Sequence, residues 1–418
     1  MPELHLQTHH WQRGWIDCAQ ITFQGERVRL EYDVDYAAEW LGRKDLLALS
    51  VTFPVDLVPK NFLMPGFLTD LIPQGNPLRR ILNRYQIPKE SDVAAIFSQV
   101  PLASPGNVRF REPWQAIERA RPTYQHKGFE QAEVVQANTE FIDYMEAHGA
   151  PVGGTSGAAG GAPKFLLRED YEGRFHADGY LDDALTRQAW LIKFPFTDSR
   201  VSKALVRAEQ GIYSVLRRMP LKTSAAIQLE QDILFIPRFD RVRREDGHLH
   251  YYGLESFYAA HGIRGHGARL WHEDNLELID RHCSHPAADK IEYWLRDIVY
   301  QALANTDNHG RNTSLIKEPG KIALSPIYDV TAMRFFEGDV IVPLTRWQDG
   351  HQTVKEQFHF FLQHHGFEQH LLESRLQELL PFLQNLETLL LDAGVPTEIV
   401  SRSASDREQI LNELEWLT

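Results

Sequence analysis

The stretch that decides the fold reads Asn305-Thr306-Asp307-Asn308-His309-Gly310-Arg311-Asn312, and its partner is Asp329 in Pro326-Ile327-Tyr328-Asp329. An Asp and an Asn five positions apart, followed after one strand-turn-strand by a second Asp, is the layout of a phosphoryl-transfer site. In that layout Asp307 orients an attacking hydroxyl and accepts its proton, while Asn312 and Asp329 hold magnesium. Each of these residues alone is also common in polar turns, so the prediction depends on their order.

A glycine-rich loop lies upstream of this stretch, at residues 153–164. Glycines let backbone N–H groups approach a polyphosphate without obstruction by side chains. The loop does not have the spacing of a P-loop, and a surface linker would have a similar composition. We assign the following residues of this loop to ATP binding: Gly157, Ala158, Ala159, Gly160, Gly161 and Lys164.

Two charged residues follow the loop in the order that a kinase requires. Lys193 ends an apolar strand-like run, where a kinase-type fold places the lysine that contacts the α- and β-phosphates. Glu209 lies sixteen positions later in a predicted helix, as the ion-pair partner of that lysine would. Both residue types are common on protein surfaces, and their position behind the glycine loop is what favours an ATP site.

The remaining sequence divides into a β-rich start, a mixed middle and a helical end. Alternating polarity predicts strands at 28–32 and 47–53. Helical periodicity predicts helices at 127–148, 199–219 and 286–304. We predict an α+β fold with three domains: a β-rich N-terminal subdomain at 1–112, a subdomain with the glycine-rich loop at 113–253, and a helical C-terminal lobe at 254–418.

Composition limits the class of protein. The net charge of −13 over 418 residues argues against a chain that binds nucleic acid through its own field. The two cysteines are too few for a disulfide framework or a four-thiolate metal site, and the histidine groups at 282–285 and 351–370 have no paired cysteines. We find neither a signal peptide nor an apolar run of membrane-spanning length, and we therefore expect a cytoplasmic protein without a membrane partner.

Four motifs together resemble the HipA family of bacterial toxin-antitoxin serine/threonine kinases. They are Asn305-Thr306-Asp307-x-His309-x-x-Asn312-x-Ser314, Pro326-x-Tyr328-Asp329, Arg238-Phe239-Asp240-Arg241 and the glycine-rich loop that ends in Pro163-Lys164. The β-rich start and the passage 67–73 also resemble the N-terminal subdomain of that family, so the resemblance covers most of the chain.

The resemblance implies a bilobal, protein-kinase-like fold of the HipA type that uses ATP and Mg²⁺, with residues 113–253 as the N-lobe-like subdomain. Asp307 then corresponds to the catalytic Asp, and Asn312 and Asp329 to the magnesium ligands. The segment 237–239 takes the position of the hinge, where backbone groups meet adenine. The ATP-binding residues that the resemblance adds to the loop are Lys193, Glu209, Pro237, Arg238, Phe239, His309 and Tyr328.

The resemblance also implies partners and regulation. Members of the family phosphorylate a translation factor, typically an aminoacyl-tRNA synthetase, and a small helix-turn-helix antitoxin supplies the DNA binding, which agrees with the acidic charge of this chain. The family's loop commonly carries a serine that is autophosphorylated. The candidates here are Thr155 and Ser156, which are displaced relative to Lys164 in a loop that looks longer than usual.

Two other functions use the same residues. A catalytically silent kinase-like protein would act by binding, for example as a corepressor with the antitoxin. A third possibility is phosphoryl transfer to a small molecule. A binding module has no need to keep Lys193, Asp307, Asn312 and Asp329 together, and this favours the enzyme.

Overall fold

The structure, a computed structural model, describes residues 3–25, 27–42, 48–73, 75–89, 91–124, 127–137, 139–148, 163–264, 267–332 and 343–417. The chain divides into two units, which we call unit 1 and unit 2. Unit 1 comprises Met1–Phe196, Ile233–Arg264 and Leu315–Ile322, and unit 2 comprises Thr197–Asp232, Gly265–Ser314 and Ala323–Thr418. The three domains drawn from the sequence stay a prediction.

Unit 1 begins with an antiparallel sheet in the order β4-β3-β2-β1-β5. Its strands are β1 (Glu3–His10), β2 (Gly14–Gln24), β3 (Arg27–Tyr32), β4 (Lys60–Phe62) and β5 (Val108–Phe110). Val28, Leu30 and Tyr32 of β3 are buried at every second position, which confirms the strand predicted at 28–32. The accompanying helices are α1 (Val34–Trp40), α2 (Gly66–Thr69), α3 (Asn76–Arg84), α4 (Val93–Gln99) and α5 (Arg111–Tyr124).

The strand predicted at 47–53 is wrong for the described residues 48–53, which form a turn closed by an isolated bridge. Two buried charged side chains form hydrogen bonds with backbone groups that, in a strand, would bond to a neighbouring strand. Lys317 Nζ donates to two carbonyl oxygens of the turn, at 3.1 and 3.0 Å, and Glu255 accepts the N–H of Val51 at 2.9 Å. Alternating polarity cannot reveal this competition, because both partners come from remote parts of the sequence.

A second sheet of unit 1 has β7, β6, β8 and β10 as successive neighbours. The elements from here to β10 are α6 (Gln131–Gln136), α7 (Thr139–Ala147), β6 (Lys164–Asp170), β7 (Phe175–Ala177), β8 (Thr186–Lys193), β9 (Gln228–Glu230), which belongs to unit 2, and β10 (Ile233–Pro237). Aromatic residues of α7 and of the strands pack into one core, with Phe141, Phe165 and Phe235 almost fully buried.

The single helix predicted at 127–148 is two helices, α6 and α7. Phe129 lies before α6 and pairs with Phe175 of β7, to which its N–H donates at 2.9 Å, so the chain is extended there. Glu130 then caps α6, and Ala137 ends it with a φ of 46° in the left-handed region. The contact with β7 therefore keeps residues 127–129 out of the helix, and the left-handed residue Ala137 separates α6 from α7.

The rest of unit 1 consists of short elements. They are β11 (Arg241–Arg243), β12 (Leu249–Tyr251), β13 (Gly253–Ser256) and α9 (Phe257–Ala260). Strands β11 and β12 form a hairpin around the turn 245–247. Gly66 of α2 lies so close to α9 that a Cβ there would be 2.1 Å from the carbonyl oxygen of Ala259, and a side chain at this position would force the helices apart.

Unit 2 is mostly helical, and its helices confirm those predicted at 199–219 and 286–304. Strands β15 (Ser314–Glu318) and β16 (Lys321–Leu324) form a hairpin whose ends lie in unit 2. The remaining elements of this unit are α8 (Arg200–Leu216), β14 (Leu270–Trp271), α10 (His272–His282), α11 (Pro286–Ala302), β17 (Thr345–Arg346), α12 (Val354–His365), α13 (Gln369–Gln384), α14 (Leu386–Asp392), α15 (Thr397–Arg402) and α16 (Ala404–Glu413).

Together the two units give the predicted α+β composition, with strands concentrated in unit 1 and helices in unit 2. The leucines of α13 at positions 372, 376, 379 and 383 are buried, so this stripe is core, as its spacing predicts. None of the helices in the described part of the chain combines the length and the apolar character needed to cross a membrane.

Candidate phosphoryl-transfer site

Helix α11 carries the chain into the predicted catalytic loop through a defined cap. The N–H of Ala304 donates to the carbonyl oxygen of Gln301 and the N–H of Asn305 to that of Tyr300, both at 2.9 Å, which is the pattern of a Schellman motif. Ala304 has a φ of 52°, a conformation that costs a residue with a Cβ about 1 kcal/mol. The cap fixes the direction in which the chain leaves the helix at Asn305.

Hydrogen bonds inside the loop 305–312 hold Asp307 and Asn312 together. The carbonyl oxygen of Asp307 accepts the backbone N–H of His309 at 3.0 Å and the side-chain N–H of Asn312 at 2.8 Å. The side-chain oxygen of Asn305 accepts the N–H of Asp307 at 3.3 Å. Because the amide nitrogen of Asn312 is directed at Asp307, its Oδ1 atom, the one that a cation prefers, points to the other side.

His309 orients the carboxylate of Asp307. The imidazole Nδ1 accepts the backbone N–H of Arg311 at 3.2 Å, so the neutral ring carries its proton on Nε2. That Nε2 atom lies 3.4 Å from Oδ1 of Asp307. Both side chains are buried, at 6% exposure each, where an oriented charge acts more strongly than in water.

The hairpin of β15 and β16 returns the chain to the loop. After it, the hydroxyl of Tyr328 donates to the carbonyl oxygen of Arg311 at 2.6 Å and lies 2.6 Å from Oγ of Ser314. Asn312 follows Arg311 and Asp329 follows Tyr328, so this bond links the two segments that carry the predicted metal ligands. Asp329 has a φ of 53°, the kind of strained backbone that is found at functional sites.

The loop and the hairpin therefore offer oxygen ligands to a cation. Asn312 and Asp329 are half-buried, whereas Asp307 is buried. In the residues that the structure describes, no group of three or more His, Cys, Asp or Glu side chains is arranged to hold a metal by itself. One amide and one carboxylate suit Mg²⁺, which usually takes one or two protein ligands and completes its shell with water and substrate phosphates.

Two predicted phosphate contacts face each other in unit 1. Lys164 at the start of β6 is the register partner of Lys193 at the end of β8, and both are buried. Opposed residues of antiparallel strands share a face, so both side chains are directed to the same side of the sheet. Glu209 is buried in α8 of unit 2, and its ion pair with Lys193 stays a prediction.

Several of the predicted residues cannot be placed. The loop residues Gly157, Ala158, Ala159, Gly160 and Gly161 lie outside the described residues. The autophosphorylation candidates Thr155 and Ser156 lie outside them as well.

The predicted hinge has a structural role that sequence reasoning missed. The backbone N–H of Arg238 donates to the carbonyl oxygen of Ala189 at 3.0 Å. Its guanidinium donates to Asp178 and to Asp240, each at 2.7 Å. Pro237 has no N–H, and the N–H of Arg238 donates to β8. The adenine contacts predicted for 237–239 could therefore be made only by the backbone carbonyl oxygens of this segment and by Phe239.

The charges around Arg238 form a buried network. Burial alone would raise the pKa of Asp178, but Arg168 and Arg238 outweigh it and hold this pKa below its usual range. Arg241 contributes a further bond to Asp240 at 3.0 Å. The run Arg238-Phe239-Asp240-Arg241 directly after an apolar strand could have indicated this network in the sequence. Charged residues next to a buried strand are themselves often buried, and buried charges need partners.

Comparison with known proteins places these features in a family. A family model described as HipA-like C-terminal domain matches residues 156–384, and another described as HipA N-terminal domain matches residues 16–111. A Sinorhizobium fredii protein named "Putative kinase Y4mE" is 29% identical over 103 residues, which are 23% of this chain and 24% of that protein. The chain thus matches about a quarter of the length of this curated relative.

A solved structure confirms the fold. The Shewanella oneidensis MR-1 toxin-antitoxin complex of HipA, HipB and its operator DNA contains a chain that matches with a TM-score of 0.66 at 16% identity, over 99% of this chain and 97% of that one. At this identity the likeness shows the fold alone. The predicted α+β kinase-like fold of the HipA type is therefore confirmed.

Proposed function

Because this chain belongs to the HipA family, whose C-terminal domain model matches more than half of it, we propose that it is an ATP-dependent serine/threonine protein kinase and the toxin of a bacterial toxin-antitoxin pair. The observation that carries the proposal is the bond between Tyr328 and the carbonyl oxygen of Arg311, which joins the loop of Asp307 and Asn312 to Asp329. A kinase site needs these three side chains at one place.

The residues fit ATP and Mg²⁺. Asn312 and Asp329 would hold the metal, which neutralises charge on the transferred phosphoryl group. Lys164 and Lys193, which are buried register partners on neighbouring strands, would contact the phosphates.

Asp307 would act on the hydroxyl of the protein substrate. Its carboxylate, oriented by Nε2 of His309, would accept a hydrogen bond from a serine or threonine hydroxyl and take its proton as the hydroxyl oxygen bonds to the γ-phosphorus of ATP. The bond from that phosphorus to the bridging oxygen breaks at the same time, and ADP leaves. Positioning accounts for most of the rate, since phosphoryl transfer needs little covalent help from the protein.

The partners follow from the family. The Shewanella HipA was solved with HipB and operator DNA, and we propose that this chain also binds a small helix-turn-helix antitoxin that makes most of the DNA contact, since its own net charge is −13. The substrate we propose is a translation component such as an aminoacyl-tRNA synthetase in the cytoplasm. Autophosphorylation at Thr155 or Ser156 belongs to the same proposal.

The first test is phosphoryl transfer in vitro. We expect the purified protein with Mg²⁺ and γ-labelled ATP to label a protein of a bacterial lysate on serine or threonine. Asp307→Asn keeps the size of the side chain but removes its charge, and we expect it to lower the rate by about 10²- to 10⁴-fold. Asp274→Asn, an exposed Asp of α10, is the matched control and should transfer at the wild-type rate.

The same variants separate the alternatives in cells. Expression without a partner should slow growth, and Asp307→Asn should relieve this. Equal growth arrest by wild type and Asp307→Asn, with no labelled protein in vitro, would contradict the kinase and favour the catalytically silent binding protein. Label found only in a small molecule would contradict a protein substrate and favour a small-molecule kinase.

A further inference from the structure

The segment 324–328, which leads into Asp329, is held by one lysine from outside the predicted motifs. Nζ of Lys222 donates to the carbonyl oxygen of Leu324, and the backbone carbonyl oxygen of Lys222 accepts the N–H of Ile327 at 3.0 Å. The N–H of Lys222 donates in turn to Oε1 of Glu292 at 2.7 Å. One residue thus binds the segment at two points and is itself bound to α11.

A carboxylate of the same helix holds the start of the segment. Oδ1 of Asp289 accepts the N–H of Leu324 at 3.2 Å. Asp289 is buried, at 8% exposure, and lies one turn before Glu292, which pairs with Arg296 at 2.8 Å. The first half of α11 therefore presents a fixed row of charged side chains to the segment.

The remaining N–H groups of the segment are bound as well. The N–H of Ser325 donates to the carbonyl oxygen of Ser314 at 2.9 Å, and Pro326 has none. From Leu324 to Ile327 each backbone N–H thus has a partner, so this stretch has little freedom to shift. Asp329, whose backbone is strained, lies two positions after Ile327.

Helix α11 consequently defines both sides of the site. Its first half holds the segment that ends in Asp329, and its C-terminal cap at Ala304 starts the loop of Asp307 and Asn312. Asn312 and Asp329 are therefore both positioned relative to the same rigid helix. A divalent cation is sensitive to this position, because Mg²⁺ tolerates little deviation from octahedral geometry.

We propose that Lys222 and Asp289 are positioning residues that set the place of Asp329 and thereby the affinity of the site for its divalent cation. This inference rests on the proposed function, since it concerns the metal of the same site. Outer partners of this kind change metal affinity about 10- to 100-fold in other proteins without touching the metal.

The test measures metal binding without turnover. Mn²⁺ is titrated into the full-length protein saturated with a non-hydrolysable ATP analogue, and free Mn²⁺ is read by electron paramagnetic resonance. Lys222→Met removes Nζ but keeps the length of the side chain and both backbone bonds, and we expect it to raise the Mn²⁺ dissociation constant about 10-fold. Lys355→Met, which alters an exposed lysine of α12, should bind like wild type.

A second pair of variants separates positioning from general destabilisation. Asp289→Asn keeps an acceptor for the N–H of Leu324, because its amide oxygen can take the place of the carboxylate oxygen, and it should bind Mn²⁺ within about 2-fold of wild type. Asp289→Leu removes the acceptor and should bind about 10-fold more weakly. Thermal unfolding shows that each variant is folded at the temperature of the titration.

The outcomes distinguish this inference from the function. Weaker Mn²⁺ binding by Lys222→Met and Asp289→Leu alone supports the positioning role, even if no protein is ever phosphorylated. Wild-type Mn²⁺ affinity in both folded variants overturns it while leaving the kinase intact. A wild-type protein that binds no Mn²⁺ with the nucleotide analogue overturns both.

Discussion

At the scale of single residues, Tyr328 links the two halves of the site. Its hydroxyl lies between Oγ of Ser314 and the carbonyl oxygen of Arg311, at 2.6 Å from each. The sequence resemblance assigned Tyr328 to ATP binding, which stays a prediction, whereas its hydroxyl is committed to the loop. The residue before the predicted metal ligand Asp329 thus ties two segments together.

We expect Tyr328→Phe to lower the free energy of unfolding by about 1 kcal/mol, because the ring stays while Ser314 and Arg311 lose a hydrogen-bond partner. Urea denaturation followed by circular dichroism measures the change. Tyr171→Phe, at a side chain that is 61% exposed, is the control and should change little. Equal stability of Tyr328→Phe and wild type would show that the hydroxyl holds nothing in place.

At the scale of elements, the connection from β10 to β11 is held by charge rather than by apolar contacts. Arg238 bonds to Asp178 and Asp240, and Arg168 bonds to Asp178 at 2.6 Å. All four side chains are buried. Removing one member leaves the opposite charges inside the protein without compensation, and this costs more than the pair contributes when intact.

Arg238→Met should therefore destabilise the protein by about 3–5 kcal/mol. Met and Arg side chains have similar volumes, so the loss of stability reports on the carboxylates that remain unpaired rather than on a cavity. Arg187→Met on the neighbouring strand β8 breaks an ion pair whose guanidinium is 55% exposed, and it should cost about 1 kcal/mol or less. Urea midpoints compare the two variants, and equal losses would contradict the network.

Elements with regular patterns could be predicted from the sequence, and those shaped by remote side chains could not. The alternation in β3 and the periodicity of α8 and α11 are local, and each gave the right element. The turn at 48–53 depends on Lys317 and Glu255, which are more than 200 positions away in sequence. No local pattern contains that information.

The candidate site divides in the same way. The order of Asp307, Asn312 and Asp329 is visible in the sequence because chemistry fixes residue types and spacing. Lys222 gave no signal, since it lies 102 positions from Leu324 and a lysine that binds a backbone carbonyl looks like any other. A sequence motif can thus indicate candidate site residues, but it cannot indicate the remote residues that position them.

At the scale of the whole molecule, buried histidines make stability depend on pH. In the described residues burial is the largest cause that lowers the pKa of six histidines: His9, His10, His148, His176, His272 and His365. The value for His365 is about 4, where burial acts together with Lys290. Asp33 and Asp289 act in the opposite direction, because burial raises their pKa, whereas Asp178, whose pKa the neighbouring arginines lower, acts in the same direction as the histidines.

The sign follows from proton binding. Below the unfolded histidine pKa of about 6.5 the unfolded chain binds more protons than the folded one, so stability falls as the pH falls. We expect the thermal midpoint to drop steadily between pH 7 and pH 4.5. His365→Gln should reduce the drop, because it removes one histidine that the fold keeps neutral, whereas His370→Gln alters a side chain that is 78% exposed and should leave it unchanged. Differential scanning fluorimetry between pH 7 and pH 4.5 measures the thermal midpoint of each variant. A midpoint that stays constant or rises towards pH 4.5 would mean that the buried histidines do not cause the loss of stability in acid.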